Sequence, residues 1–182
     1  PFAEYLPERE FFYPLWPEIF SMIPRDYSIG QRDTVFAVAG ATAGIAICFD
    51  IVDDAIVWAM MDDGADIIFA PTNNADFGQT DQSVQQLAIA RMRAIETGRS
   101  VVNISTVGTS AVMDPTGATL DRLPTYTEGY LLLDVPLAQH TTPATWIKRN
   151  LEVLVGALTV AGLVTAGAGA RARRREDDPL GS

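Results

Sequence analysis

Near its C-terminus the chain carries eighteen consecutive uncharged, mostly apolar residues, 153–170, followed at once by Arg171-Ala172-Arg173-Arg174-Arg175. A helix of that length rises about 27 Å, close to the ~30 Å hydrocarbon core of a bilayer. A helix apolar on every side must be wrapped either by lipid or by a protein core, and one modest domain seldom wraps one whole. The run therefore reads as a membrane span. Arginines gathered directly beyond it mark the cytoplasmic side, which puts the preceding domain on the outer face. Gly156, Gly162, Gly167 and Gly169 are small residues of the kind through which membrane helices approach one another, so partner helices are expected.

Residues 1–150 read as one ordered domain with enough sequence for a good core. They hold 19 Asp and Glu against nine Lys and Arg, an acidic balance that argues against nucleic acid, which needs basic stripes. The single cysteine, Cys48, forms no internal disulfide, and one Cys with one His excludes a Cys/His zinc site. No metal and no cofactor is expected.

Elements alternate along the domain. Strands are expected at 34–38 and 43–47, then a helix over 53–63 closed by Gly64, then a buried strand at 67–70 leading into the polar loop 72–78. Val84, Leu87, Ala88, Met92 and Ile95 recur at helical spacing, which predicts a helix over 82–97 capped by Gly98, its apolar stripe on the sheet. Strands follow at 101–105, 110–113 and 131–135, with Asp114-Pro115-Thr116-Gly117 as a tight turn. The class is α/β, in layers. Prolines break the aromatic stretch 11–20, leaving an irregular apolar arm suited to a membrane interface or an acyl chain.

Cys48 closes one of these strands just before a helix. It is either an inert buried thiol or a nucleophile raised above the sheet edge, where main-chain N–H groups can favour the thiolate. His140 lies in a polar stretch and reads as a solvated linker residue, and Lys148, the only lysine, as an interfacial anchor. Asp50 suits a helix cap and a site lining equally. Arg91, Arg93 and Glu96 read as the solvated or ion-paired side of their helix.

Four segments carry a resemblance. Pro1-Phe2-Ala3-Glu4-Tyr5-Leu6-Pro7, the nucleophile segment Ile47-Cys48-Phe49-Asp50, the loop Thr72-Asn73-Asn74-Ala75-Asp76-Phe77-Gly78 and the helix segment Ala90-Arg91-Met92-Arg93-Ala94-Ile95-Glu96-Thr97-Gly98-Arg99 resemble, in order, motifs of the apolipoprotein N-acyltransferases. These are membrane members of the nitrilase (carbon–nitrogen hydrolase) superfamily. The resemblance implies the C-terminal part of a nitrilase-type α-β-β-α sandwich over residues 1–140, a linker at 141–150, one transmembrane helix at 151–170 and a cytoplasmic basic tail at 171–182. It implies a bacterial inner-membrane enzyme with its catalytic domain on the extracytoplasmic face.

The implied chemistry is N-acyl transfer. A phospholipid is the acyl donor, Cys48 carries the acyl group as a thioester, and the amine of a lipoprotein's diacylglyceryl-cysteine is the acceptor. Cys48 matches the family's nucleophile and Glu4 its second glutamate, while Phe49, Asp50, Asn73 and Asn74 would line the site. Phe49-Asp50 stands where the family has Tyr-Glu, a lost hydroxyl and a carboxylate shorter by one methylene. The family's first glutamate and its lysine precede the matched segments, so the chain reads as a C-terminal fragment, inactive alone. Two other functions stay open at this point: a nitrilase-type amidase acting on small amides, and a non-catalytic membrane-tethered binding module.

Overall fold

The computed structural model describes residues 11, 13–18 and 33–176; for Asp76, Arg149 and residues 168–176 it describes the backbone alone. Among them six strands form one sheet: β1 (Val35–Val38), β2 (Ala41–Ile45), β3 (Ile67–Thr72), β4 (Ser100–Ser105), β5 (Ser110–Met113) and β6 (Thr119–Leu123). They lie side by side in chain order. The central pairs β2–β3 and β3–β4 are parallel and the outer pairs antiparallel. Connection length explains the pattern. Parallel neighbours need a crossover, supplied by α1 (Asp54–Asp62) between β2 and β3 and by α2 (Gln82–Thr97) between β3 and β4. The β1–β2 hairpin turns on Ala39 and Gly40, at φ +49° and +84°, the left-handed pair that a two-residue hairpin demands.

Both helices pack on one face. Met60 of α1 and Leu87, Ala90 and Ala94 of α2 meet Ile68, Ala70, Val101, Ala111 and Met113 of the strands in a single buried cluster. Asp53 caps α1, its carboxylate accepting from the N–H groups of Ala55 and Ile56 at 2.7 and 3.2 Å. Gly98, at φ +63° and ψ +31°, ends α2 in the left-handed region where a residue with a side chain is strained.

The other face of the sheet is apolar and only partly covered. Phe36, Val38 and Ile104 are 43–49% exposed there. Residues 129–135 share a groove on it with Ile67, Phe69, Val102 and Val112.

Three expectations change. Residues 131–135 form no strand: the segment is fastened by side chains and not by a ladder, Ser100 donating to the Pro136 carbonyl at 2.6 Å and Gln139 to Asp66 at 2.9 Å. Together with the Thr42 N–H at 2.8 Å, Gln139 holds the Asp66 carboxyl below the usual carboxylate range, Thr42 contributing more. The sixth strand is instead 119–123, which the Asp114–Gly117 turn folds back on β5.

The apolar stripe of α2 is the third. Of the five residues expected on the sheet only Leu87 is buried; Val84, Met92 and Ile95 are 47–61% exposed, and Ala88 is exposed too. The buried side of α2 is Ser83, Gln86, Leu87, Ala90, Arg93, Ala94 and Thr97. Small residues let the helix approach the strands closely, and its polar residues serve the region around Cys48.

The chain divides into two compact units at Thr145/Trp146. The segment read as a linker carries α3 (Pro143–Ile147), then Lys148 at φ +47°, then the start of α4 (Arg149–Glu176). Within α4 the window Asn150–Gly167 has mean hydropathy 1.5 and no buried residue. By length and composition it is long and apolar enough to cross a membrane.

Candidate active site

Cys48 opens a short 3-10 turn, Cys48–Val52, three residues past the end of β2. Its φ is +52°. That conformation costs a residue with a side chain about 1 kcal/mol or more, so neighbouring groups must impose it. Several do. Gln86 Nε2 donates to the Cys48 carbonyl at 2.9 Å. Asp50, buried, accepts from the Ile47 N–H at 3.1 Å and braces the entry to the turn. Arg93, reaching from α2, donates to the carbonyls of Ile51 at 2.9 Å and Val52 at 2.6 Å.

Arg93 is itself 7% exposed and pairs with Asp54 and Glu96, each at 2.6 Å. Burial opposes its charge, yet the Glu96 and Asp54 carboxylates outweigh that cost and raise the affinity of the guanidinium for its proton. It is a charged rivet between α2 and the turn.

The thiol is half-buried. Thr72 Oγ1, at the C-terminal end of β3, donates to Sγ at 3.2 Å, and Gln86 Nε2 lies 3.9 Å from it. Behind Gln86 a row of buried and half-buried polar groups continues through Asn74 and Ser105 to Gly108. All of it gathers at the C-terminal ends of the parallel strands, the edge at which open α/β sheets present their sites.

A family model, carbon–nitrogen hydrolase, matches residues 2–142 of the chain. The chain belongs to the carbon–nitrogen hydrolase family. It is 34% identical, over 90% of its length, to the apolipoprotein N-acyltransferase of Mycolicibacterium smegmatis, of which it covers 26%. It is 30% identical, over 86% of its length, to the apolipoprotein N-acyltransferase of Vibrio cholerae, of which it covers 31%. The chain thus spans between a quarter and a third of these relatives. Among solved structures it resembles a mutant amidase from Nesterenkonia sp. AN1 bearing acrylamide, by Michael addition, at its active-site cysteine: TM-score 0.54 at 22% identity, covering 68% of this chain and 49% of that one. The fold is the mixed α/β nitrilase type.

In this carbon–nitrogen hydrolase domain the residues expected at the site separate. Asn74 is 2% exposed and belongs to the row behind Cys48. Asn73 is exposed and braces its loop, accepting from the Ala75 N–H at 3.1 Å and the Thr106 hydroxyl at 2.9 Å. Phe49, 42% exposed, stands at the surface next to the thiol in sequence. Asp50 accepts from the Ile47 N–H, a capping contact within the turn that holds Cys48. Glu4 lies outside the described residues. Arg91 is exposed and donates to Thr119, as expected of a surface residue, whereas Arg93 is ion-paired but not solvated. His140 is exposed beside Gly98, its carbonyl accepting from Arg99 at 2.7 Å.

Gln86 and Ser105 escaped the sequence reading, and Thr72 entered it only as the first residue of the loop 72–78, with no role assigned. The only signal was polarity at core-facing positions, Gln86 one residue before Leu87 and Thr72 ending an apolar strand. Among the described residues no group of three His, Cys, Asp or Glu side chains gathers that could hold a metal ion.

Proposed function

We propose that the protein is an apolipoprotein N-acyltransferase in which Cys48 carries the acyl group. The observation that carries this reading is the cysteine itself: half-buried, left-handed at a strand-to-turn junction, with donors directed at its sulfur. Its setting is a chain 34% identical to an enzyme of that name.

The reaction divides one transfer into two displacements. The Cys48 thiolate attacks an ester carbonyl of a phospholipid; the C–S bond forms, the C–O bond breaks, and the lysophospholipid oxygen takes a proton. The amine of the lipoprotein's diacylglyceryl-cysteine then attacks the thioester. A C–N bond forms, the C–S bond breaks with its electron pair on sulfur, and the amine's proton passes to a general base. Glu4 is proposed to stand near this exchange, with Phe49 and Asn73 at the mouth and Asp50 and Asn74 lining the site from beneath, one bracing the turn and the other in the row behind the sulfur.

The apolar helix favours this reading over an amidase for small soluble amides. None of residues 150–167 is buried, and an acyl donor that lives in a bilayer gives such a helix its purpose: it keeps the thiol beside its substrate. The domain would sit on the extracytoplasmic face of a bacterial inner membrane, with the arginines beyond the helix in the cytoplasm.

The full-length protein, incubated with phospholipid and no acceptor, should hold a hydroxylamine-sensitive acyl group on Cys48. Acceptor lipopeptide should discharge it. If Cys48→Ala retains acyl transfer, the proposal fails.

A further inference from the structure

Behind Cys48 the hydrogen bonds all run one way. The Gly108 N–H donates to Ser105 Oγ at 2.9 Å, which leaves the Ser105 hydroxyl hydrogen for Asn74 Oδ1. With that oxygen engaged, Asn74 offers Nδ2 to Gln86 Oε1, 2.7 Å away. Gln86 Oε1 is therefore the accepting end, and its Nε2 faces Cys48, 2.9 Å from the carbonyl oxygen and 3.9 Å from Sγ. An amide side chain can be turned over; the main-chain carbonyl of Cys48 cannot become a donor, and so holds Nε2 toward itself. The Cys48 carbonyl thus sets the sense of every link back to Ser105, and Gly108, which closes the row, has room for no side chain. A Cβ there would lie 2.3 Å from Ser83 Oγ and 2.7 Å from both Asn74 Oδ1 and Ser105 Oγ.

Thr72 adds a donor that can move. Its hydroxyl is 3.2 Å from Cys48 Sγ and 3.2 Å from Gln86 Oε1, one hydrogen between two acceptors. A protonated sulfur accepts weakly, so the hydrogen then belongs to Gln86. Once the sulfur is charged it becomes the better acceptor and the hydrogen turns to it. Gln86 Oε1 remains satisfied by Asn74 throughout, so the thiolate gains a hydrogen bond while no buried group is left bare.

We infer that Thr72 is a further catalytic residue, and Gln86, oriented by the Cys48 carbonyl and the row behind it, a positioning residue, the two together able to donate to the charged sulfur. The inference rests on the reading of Cys48 as the nucleophile. Its use is twofold: it favours the thiolate that attacks the ester, and it receives the electron pair on sulfur when the amine breaks the thioester. The charged groups on elements packed against the turn are Asp50 within it, Asp54 on α1 and Arg93 and Glu96 on α2. Asp50 caps the turn and the other three pair with one another.

The test measures alkylation of Cys48 by iodoacetamide against pH in the full-length, detergent-solubilised protein. Thr72→Val should move the midpoint up by roughly one pH unit, about a tenfold loss of rate below it, and Thr72→Ser should restore it. Ser105→Ala, three links from the sulfur, should move the midpoint the same way by less. Parental midpoints in Thr72→Val or in Ser105→Ala, with melting temperatures unchanged, overturn the inference. Alkylation needs no acyl donor, so transfer activity surviving in Cys48→Ala would defeat the proposed function through a separate measurement.

Discussion

At the scale of single residues the site depends on one arginine as much as on the cysteine. Arg93 answers two carbonyls of the turn that holds Cys48 and two carboxylates beside it. Removing it strands those partners, and breaking a buried charged set costs about 3 kcal/mol or more. Arg93→Ala should therefore lower the unfolding free energy from denaturant melts by that amount and slow Cys48 alkylation, because the left-handed residue loses a support. Lysine, with one point of charge in place of a fork, should recover little of either. A full return of stability in Arg93→Lys would show that charge alone, and not the forked geometry, holds the turn.

At the scale of elements α2 shows where sequence reading succeeds and where it stops. Its bounds were legible because an interior of good helix formers ends at a glycine, which closes the helix in the left-handed region. Its orientation was not. Hydropathy assigns Met92 and Ile95 to the interior, yet the face against the sheet is built from Ala90 and Ala94 for close approach and from Gln86 and Arg93 for the turn. Met92→Gln should accordingly leave stability within about 0.5 kcal/mol, while Ala90→Leu should cost about 1–3 kcal/mol by overpacking. The opposite ranking in urea melts would restore the hydrophobic stripe to the interior. Residues 131–135 misled for a related reason: an apolar run earns burial by lying on a sheet face as well as by joining the sheet. Cys48 could be found because it is the only cysteine before a structural switch. The contacts of Thr72, Gln86 and Ser105 could not, since they span 14 to 38 positions, and the loop motif that includes Thr72 does not say what it touches.

At the scale of the whole molecule, the domain and its long apolar helix make one expectation about sidedness. If residues 171–175 lie in the cytoplasm, a membrane-impermeant thiol reagent applied to intact cells should modify a cysteine placed at Thr116 and spare one placed at Ala172, both in a Cys48→Ser background. Labelling at Ala172 alone would invert the topology, and with it the outward placement of the site. The sheet adds a constraint of a different kind. One side is sealed by α1 and α2, while the other displays Phe36, Val38 and Ile104 on a pleated apolar plane. Such a plane adheres to its own kind, so isolated preparations of this polypeptide should be limited by crowding before they are limited by heat: dilution and mild amphiphiles will preserve them where cooling does not.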